Sequence, residues 1–242
     1  MSDPGLSDRP DLASSSRGYA GRFRGQVGQW FLDVQEAALR EVLPDLPEGG
    51  KVLDVGGGHA QLAPWLTTEG CEVFVVGSAP SGFRLLRGRS RRIRFVASDL
   101  RVLPFPAAAF DAVICFRILA HIRRWRALVA ELCRVSAGPV VVDYPALCSF
   151  NAAASYLFRL KNAVERRTTR PFRVLSSSEL ERAFRDGGYR ITEKRGEFFW
   201  PMALHRLHGR VGLARALEAP ARNAGLLSRF GSPMVVRAEP QG

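Results

Sequence analysis

The stretch Lys51–Ala63, KVLDVGGGHAQLA, decides the fold of this chain. Its first five residues, KVLDV, are mostly apolar and predict a buried β-strand. Three glycines follow at positions 56–58, where they let the main chain turn sharply and let a ligand approach it closely. A helix is predicted after the turn. Nucleotides commonly bind at such a strand–turn–helix junction, although a glycine turn also serves packing alone.

The acidic residue beside this turn indicates the charge of the ligand. Asp54 lies two residues before Gly56, where its carboxylate would repel a pyrophosphate and attract a cationic or amine-bearing group. The turn also lacks the third glycine of the dinucleotide fingerprint GxGxxG, because Gln61 stands at that position. The pattern therefore argues against a dinucleotide.

Apolar runs and helical stretches alternate on both sides of the turn. Apolar residues at helical spacing predict a helix over Trp30–Leu43, ended by Pro44 and Pro47. Further strands are predicted at residues 72–76, 93–96, 110–116 and 139–143, with helices over 62–69 and 117–134. These strands are apolar on both faces, which is typical of a parallel sheet with helices on both sides.

The rest of the chain is less regular. Residues 144–175 are predicted as a helical insertion, and Ser176 with Glu179 forms a capping box that begins the next helix. After that helix we expect strands at 189–193 and 196–200, helical residues over 202–227 and a last strand at 232–237. The polar residues 1–18 are predicted to be a disordered tail, which leaves residues 19–242 as one domain.

The composition is that of a globular protein with a strong positive charge. The chain has 242 residues, 46% of them apolar, and a formal net charge of +12. This charge is compatible with nucleic acid or an anionic membrane as a partner. Only three of the 35 basic residues are lysines, however, so a compositional bias toward arginine explains the charge at least as well.

The cysteines and the N-terminus indicate the compartment. Cys71, Cys115, Cys133 and Cys148 form no CxxC pair, so reduced thiols in a cytoplasmic protein are expected. The N-terminus lacks the apolar core of a secretory signal, and no apolar run reaches the ~20 residues that span a bilayer.

Several segments, in chain order, resemble the class I S-adenosylmethionine-dependent methyltransferases, of the methyltransferase type 11-like group. VLDVGGGHA at residues 52–60 is similar to the first motif of the family, with Ala60 in place of its last glycine. FVASDL at 95–100, LPFP at 103–106, FDAV at 110–113 and ILAHI at 118–122 resemble further family segments. The resemblance covers roughly residues 19–200. It implies a Rossmann-like, doubly wound α/β fold, with a mostly parallel seven-stranded sheet, helices on both faces and an antiparallel last strand.

The resemblance also implies which residues hold the cofactor, S-adenosyl-L-methionine. Asp99 would hydrogen-bond the adenine amino group, and Arg22, before the first strand, would pair with the methionine carboxylate. The expected cofactor-binding residues are Asp54, Gly56, Gly58, His59, Gly77, Ser78, Ser98, Asp99, Leu100, Phe116 and Arg22.

One departure from the family concerns the ribose. Methyltransferases of this family usually end the second strand with an acidic residue that holds both ribose hydroxyls, but Gly77 stands there in this sequence. The hydroxyl of Ser78 replaces a charge-assisted hydrogen bond only in part. Either ribose binding is weaker, another residue supplies the contact, or the cofactor is unusual or absent.

Histidines are the candidates for acid–base chemistry. His121 is the candidate catalytic base, because the free pKa of histidine lies near neutrality, although packing or capping of the following helix explains it equally well. His205 and His208 lack a third ligand at matching spacing, so we expect solvated surface histidines there. No metal is expected, because related quinone O-methyltransferases carry acidic residues where this sequence has Phe116, Arg117 and Ala120.

The acceptor side is expected to come from two variable regions, residues 144–175 and 201–230. The apolar residues 198–202, FFWPM, would line an acceptor pocket or belong to the core. Arginines alternate with leucines over residues 202–229, as in an amphipathic helix that contacts an anionic membrane or forms a solvated face.

Three functions therefore remain open. The first, which we favour, is a methyltransferase for a small, apolar acceptor such as a quinone, a lipid or a secondary metabolite, with peripheral contact to an anionic membrane as one possibility. The second is an RNA methyltransferase, which is disfavoured because ICFR at residues 114–117 stands where an NPPY-type tetrapeptide would be required. The third is a non-catalytic cofactor-binding protein of the same fold, suggested by Gly77.

Overall fold

The computed structural model describes residues 6–14, 23–57, 61–80, 88, 90–149 and 172–242, and these contain seven β-strands and eight α-helices. The strands are β1 (Lys51–Val55), β2 (Glu72–Gly77), β3 (Ile93–Ala97), β4 (Ala112–Cys115), β5 (Val140–Tyr144), β6 (Tyr189–Gly196) and β7 (Met234–Pro240). The helices are α1 (Asp11–Ser14), α2 (Gly25–Val42), α3 (Ala63–Thr68), α4 (Trp125–Val135), α5 (Ser177–Asp186), α6 (Met202–His208), α7 (Val211–Asn223) and α8 (Leu227–Phe230).

The strands form one sheet in the order β3-β2-β1-β4-β5-β7-β6. Strands β1 to β5 pair in parallel, and β7 lies antiparallel between β5 and β6. The predicted doubly wound sheet with an antiparallel last strand is therefore confirmed. The strand order reverses beside β1, which has β2 on one side and β4 on the other. In open α/β sheets this switch point is where ligands bind.

Helices cover both faces of the sheet. Successive side chains of each strand point to opposite faces, so one strand contributes to two core clusters. In β4, Val113 and Cys115 belong to a core cluster with residues of α4 and α5, whereas Ala112 and Ile114 belong to a second cluster with residues of α2 and α3. All four residues are almost completely buried. The continuous apolar strands predicted from the sequence are thus the central strands of the sheet.

The helix before β1 begins earlier than predicted. Helix α2 starts at Gly25 rather than at Trp30, and it ends at Val42, just before Pro44. Trp30 and Phe31 are buried and pack against the ring of Phe198, with centroid distances of 5.2 Å in both cases. The segment FFWPM therefore contributes Phe198 to the core.

Strand β6 differs from its prediction. It is one strand that ends at Gly196, and the predicted strand over residues 196–200 is wrong. Pairing with β7 ends where Gly196 meets Met234. A Cβ on Gly196 would overlap the carbonyl oxygen of Leu227, so the first residue of α8 packs directly against the end of β6. The chain then leaves the sheet.

The helix boundaries after β4 and β5 depend on local geometry. The predicted helix over 117–134 is shorter, because Arg117 has a φ of 60° and the helix starts only at Trp125. The capping box at the start of α5 is confirmed: the hydroxyl of Ser176 accepts from the N–H of Glu179, and the carboxylate of Glu179 accepts from the N–H of Ser176.

The two variable regions are only partly described. In the first, residues 150–171 lie outside the described residues, and with them most of the helical insertion predicted over 144–175. In the second, the predicted helical stretch 202–227 consists of α6, α7 and the start of α8, and Gly209, with a φ of 67°, ends α6. Within the described ranges, no helix has the length and apolar character that crossing a bilayer requires.

The prediction of a disordered N-terminal tail is wrong for residues 6–14. Leu6 is only 5% exposed, and Ser7 forms a parallel bridge with Ile122 after β4. The main-chain oxygen of Ser7 accepts from the N–H of Arg123 at 3.1 Å, and Asp11 is buried in α1. These contacts hold residues 6–14 in place, although their sequence shows neither helical nor strand periodicity. We call residues 6–14 the N-terminal strap.

Candidate functional site

The site predicted from the glycine turn lies at the carboxyl edge of the sheet. Strands β1, β2, β3 and β4 are parallel, so the residues that follow Val55, Gly77, Ala97 and Cys115 meet at this edge. The N-terminal strap crosses the same edge through its contacts after β2 and β4. The site therefore combines four strand ends with a segment far away in the sequence.

Asp54 occupies the end of β1 and is only 2% exposed. Burial raises the pKa of its carboxyl group to about 7, because a charged carboxylate loses hydration there. A Cβ on Gly57 would overlap this carboxyl group, so the glycine is needed to accommodate the acid. The carboxyl group is therefore poised to ionise when a positive charge comes close.

Gly56 connects the turn to the neighbouring strand. Its N–H donates to the carbonyl oxygen of Val76 at 2.8 Å, and its φ of 80° is a conformation that favours glycine. A Cβ at this position would also overlap the side chain of Ile118. Two other predicted cofactor-binding residues of this turn, Gly58 and His59, lie outside the described residues, as does Arg22.

The end of β2 carries an unexpected carboxylate. The N–H and the hydroxyl of Ser78 both donate to the side chain of Asp11, each at 2.5 Å. The sequence indicated that Gly77 leaves this strand without an acidic residue. The sequence did not indicate that Asp11 of the N-terminal strap lies at the end of β2, because no pattern distinguishes an aspartate in a polar segment.

The residues after β3 include the predicted adenine ligand, Asp99. Both of its carboxylate oxygens accept from the guanidinium group of Arg101, whose Nη2 lies 2.6 Å from Oδ2. These bonds lower the pKa of Asp99 to about 2. Oδ1 also accepts from the main-chain N–H of Arg101 at 2.9 Å, so Arg101 holds both carboxylate oxygens in place. Ser98 is partly exposed, whereas the side chain of Leu100 is buried in the core.

The end of β4 leads into a buried polar group of side chains. Phe116 is buried, and the N–H of Arg117 donates to Oδ1 of Asp143, at the end of β5, at 2.5 Å. The Nε of Arg117 donates to Oε1 of Gln35 on α2 at 2.6 Å. The guanidinium group also lies over the ring of Phe23, 4.5 Å from its centroid. Arg117 thus connects β4, β5 and α2.

Glu197, directly after β6, completes this group and is only 1% exposed. Among the described residues, neither of its carboxyl oxygens has a hydrogen-bond partner, and the same is true of Nη2 of Arg117. The pKa of Glu197 is raised to about 8. Burial is the main cause, the charge of Arg117 lowers the pKa, and that of Asp143 raises it. Burial also raises the pKa of Asp143, to about 6. The sequence did not indicate a role for Asp143 or Glu197, and it marked Arg117 only as a position without a metal ligand and as part of the segment that replaces an NPPY-type tetrapeptide.

A cleft of about 390 Å³ lies next to Glu197. Residues of α2, α7 and the end of β6 line it. Trp30, Val34 and Leu227 form apolar parts of its wall, and Arg195 and Arg215 add charge. The cleft therefore suits a molecule with both apolar and polar groups.

The histidines lie in different environments. His121 is partly exposed on the turn after β4, and its main-chain N–H donates to the carbonyl oxygen of Ile118. The expectation of a solvated surface histidine is wrong for His205, which is fully buried with its Nε2 2.8 Å from Oε1 of Glu218. His208 is partly buried beside it, 3.4 Å from ring nitrogen to ring nitrogen. Within the described ranges, no three potential ligands cluster in a way that could hold a metal ion.

A family model described as a methyltransferase domain matches residues 28–194 of the chain. This match covers β1 to β5 and the greater part of β6. No protein of curated function matches the chain by sequence.

Solved structures with the same fold are distant in sequence. A methyltransferase crystallised in complex with the Trm112 methyltransferase activator of Haloferax volcanii has 16% identity and a TM-score of 0.64, with 97% of each chain covered. Magnesium protoporphyrin IX methyltransferase from Synechocystis PCC 6803, with bound S-adenosylhomocysteine, has 13% identity and a TM-score of 0.63, with 96% of this chain and 97% of the other covered. The [4+2]-cyclase SpnF has 17% identity and a TM-score of 0.64, with 99% and 100% covered.

Proposed function

Because the chain belongs to the family of methyltransferase domains, we propose that it transfers a methyl group to a small molecule that combines an apolar body with an ionisable group. The chain is an S-adenosylmethionine-dependent methyltransferase. The acceptor is the proposed part, since the structural neighbours range from a porphyrin methyltransferase to a cyclase.

The residues at the carboxyl edge fit this cofactor. When bound, S-adenosylmethionine supplies a methyl group made electrophilic by its positively charged sulfur. We expect Asp54 to face the positive charge of the cofactor, with Gly56, Gly58 and His59 at the glycine turn and Arg22 at the methionine carboxylate. Gly77, Ser78, Ser98, Asp99, Leu100 and Phe116 are expected at its nucleoside, with Asp99, which Arg101 holds in place, as the adenine ligand.

A single observation supports the acceptor class: in the part of the chain that the structure describes, a buried carboxyl group and a buried guanidinium nitrogen at the acceptor side of the edge lack hydrogen-bond partners. Leaving such groups unpaired costs about 1–3 kcal/mol each or more, so proteins normally pair them. Among the described residues, Glu197 and Arg117 Nη2 have no partner. An acceptor with a hydroxyl or amine and an acidic group would satisfy both.

Glu197 would then act as the general base. As the acceptor oxygen or nitrogen bonds to the methyl carbon, the bond between carbon and sulfur breaks, and the proton of the acceptor passes to the Glu197 carboxylate. Arg117, fixed by Asp143 and Gln35, would orient the acceptor. His121 remains the other candidate base.

Methyl transfer from radiolabelled cofactor to fractionated cell extract tests the proposal. We expect label in a fraction of small molecules, and none in RNA or protein. The pH dependence of the turnover number at saturating cofactor distinguishes the two candidate bases. The turnover number should rise through about pH 8 if Glu197 accepts the proton, and near pH 6.5 if a histidine of ordinary pKa accepts it. Label in RNA, or no cofactor binding at millimolar concentration, contradicts the proposal.

We also propose that α6 and α7 bring the protein to an anionic membrane, where an apolar acceptor would be found. Leu204, Leu207 and Leu213 are exposed, Leu207 by 85%, and the neighbouring Arg206 and Arg210 are exposed as well. Exposed leucines beside arginines suit the interface of an anionic bilayer, which takes up apolar side chains and attracts cations.

Sedimentation with lipid vesicles tests this contact. We expect the protein to sediment with vesicles that contain anionic lipid and not with purely zwitterionic ones, and Leu207→Asn to reduce binding several-fold. Val102→Asn is the matched control, because Val102 is 68% exposed outside α6 and α7. Equal binding of the two variants would contradict the proposal.

A further inference from the structure

The second strand of this methyltransferase ends without an acidic side chain that could hold the ribose of the cofactor. In doubly wound nucleotide-binding sheets, an acidic residue on the second strand accepts hydrogen bonds from the ribose hydroxyls. Strand β2 ends with Val76 and Gly77, and neither can accept through its side chain. Any acidic ribose ligand must therefore come from elsewhere in the chain.

The carboxylate of Asp11 lies where such a side chain would be. A Cβ placed on Gly77 would be 3.4 Å from Oδ2 of Asp11 and 3.2 Å from the ring of Phe95. Asp11 thus occupies the space directly beside the end of β2. This proximity does not follow from the sequence, in which 66 positions separate the two residues.

Both carboxylate oxygens of Asp11 lie at the end of β2. Ser78 donates its N–H to one carboxylate oxygen and its hydroxyl to the other. An ionised carboxylate has about four lone-pair sites, two more than the bonds from Ser78 use. Two acceptors at the spacing of one carboxylate match two neighbouring hydroxyl groups, as a ribose presents them.

The N-terminal strap that carries Asp11 is attached at several points. The main-chain oxygens of Leu6 and Ser7 accept from Arg123, at 3.2 Å and 3.1 Å. Asp8 pairs with Arg101 at 3.2 Å, and Arg101 also holds Asp99. These contacts fix the carboxylate before any ligand binds, which reduces the entropy lost on binding.

We propose that Asp11 supplies the ribose ligand that β2 lacks, so that the N-terminal strap is part of the cofactor site. This inference rests on the proposed location of the cofactor at the carboxyl edge. It also gives a function to residues 6–14, which would otherwise only cover the edge. Removal of the strap would then weaken cofactor binding although the methyltransferase domain itself is intact.

Calorimetric titration with S-adenosylhomocysteine and with its 2′-deoxy analogue tests the inference. Asp11→Asn keeps the shape of the side chain and one acceptor oxygen, which can still accept from the N–H of Ser78, but it replaces the other acceptor oxygen by a donor. We expect this variant to bind S-adenosylhomocysteine about 10-fold to 100-fold more weakly, as loss of a charge-assisted hydrogen bond implies. We also expect the wild type to bind the 2′-deoxy analogue about tenfold more weakly than S-adenosylhomocysteine, and Asp11→Asn to lose this preference.

Two further variants separate the ribose contact from folding. Leu12→Ala changes an exposed residue of the same helix and should bind like the wild type. Asp11→Glu keeps the carboxylate and should recover part of the affinity. Unchanged or tighter binding by Asp11→Asn would overturn the inference, as would a retained preference for the 2′-hydroxyl. If the wild type itself fails to bind S-adenosylhomocysteine, the proposed function falls instead.

Discussion

Replacement of Glu197 by glutamine is expected to make the protein more stable and less active at the same time. At pH 8 the free energy of unfolding should rise by about 3 kcal/mol, while the turnover number should fall by about 100-fold or more. The two effects share one cause, because a buried carboxyl group that has no partner within the described ranges destabilises the fold and serves as a base.

The pH dependence of stability gives the sign of this effect. The pKa of Glu197 is about 8 in the folded protein and 4.5 for the ordinary group. The folded state therefore binds the proton more tightly, and ionisation of the unfolded chain favours unfolding as the pH rises from 4.5 to 8. Glutamine cannot ionise, so the difference between variant and wild type should be small at pH 4 and largest near pH 8.

Denaturant unfolding at pH 4 and pH 8, together with initial rates, measures both effects. Glu193→Gln is the matched control, because Glu193 lies exposed on β6, the strand that Glu197 follows, and it should change neither quantity. A destabilised Glu197→Gln protein at pH 8 would show that the carboxyl group has a partner in solution. A variant with unchanged turnover would remove Glu197 from the reaction and leave His121 as the candidate base.

Replacement of Asp54 by asparagine is expected to abolish high-affinity cofactor binding. A buried carboxylate beside a positive charge contributes several kcal/mol, and its loss should weaken binding by about 100-fold or more at pH 8. The fold should be retained, because an amide resembles the protonated carboxyl group in shape and the pKa of about 7 leaves Asp54 partly protonated at neutral pH.

The wild type should bind the cofactor more tightly as the pH rises from 6 to 8. Only the ionised form of Asp54 attracts a positive charge, and with a pKa of about 7 its ionised fraction increases about tenfold over this range. The dissociation constant should therefore fall by a similar factor and then level off. Asp54→Asn should show no such dependence.

Isothermal titration at several pH values provides this measurement, and Asp45→Asn serves as a control at an exposed aspartate after α2. The control should retain both the affinity and its pH dependence. Wild-type affinity that is the same at pH 6 and pH 8 would show that Asp54 is not the group that meets the positive charge.

The carboxyl edge is thus more polar than the sequence indicated. The sequence allows FFWPM to line an acceptor pocket or to belong to the core, and Phe198 of this segment packs in the core against Trp30 and Phe31. Buried charge comes instead from Arg117, Asp143 and Glu197. An acceptor with one ionisable group on an apolar body fits this edge better than a wholly apolar one.

Local patterns determined much of this protein from the sequence alone. The apolar run of β1, the glycine turn and Asp54 predicted the edge at which we expect the cofactor, because each depends on residues close together in the chain. The capping box at Ser176 located the start of α5 for the same reason. The alternation of apolar strands and helices predicted the parallel sheet, since strands buried on both faces need no other partner.

Only the tertiary structure brought Asp11 to Ser78 and arranged Glu197 with Arg117 and Asp143 at one edge. No periodicity marks these residues, because their positions follow from contacts between segments far apart in the chain. Their chemistry depends on burial, which changes the pKa of a carboxyl group and decides whether it has a partner. Burial is a property of the packed molecule, and the sequence by itself does not specify it for a single acidic residue.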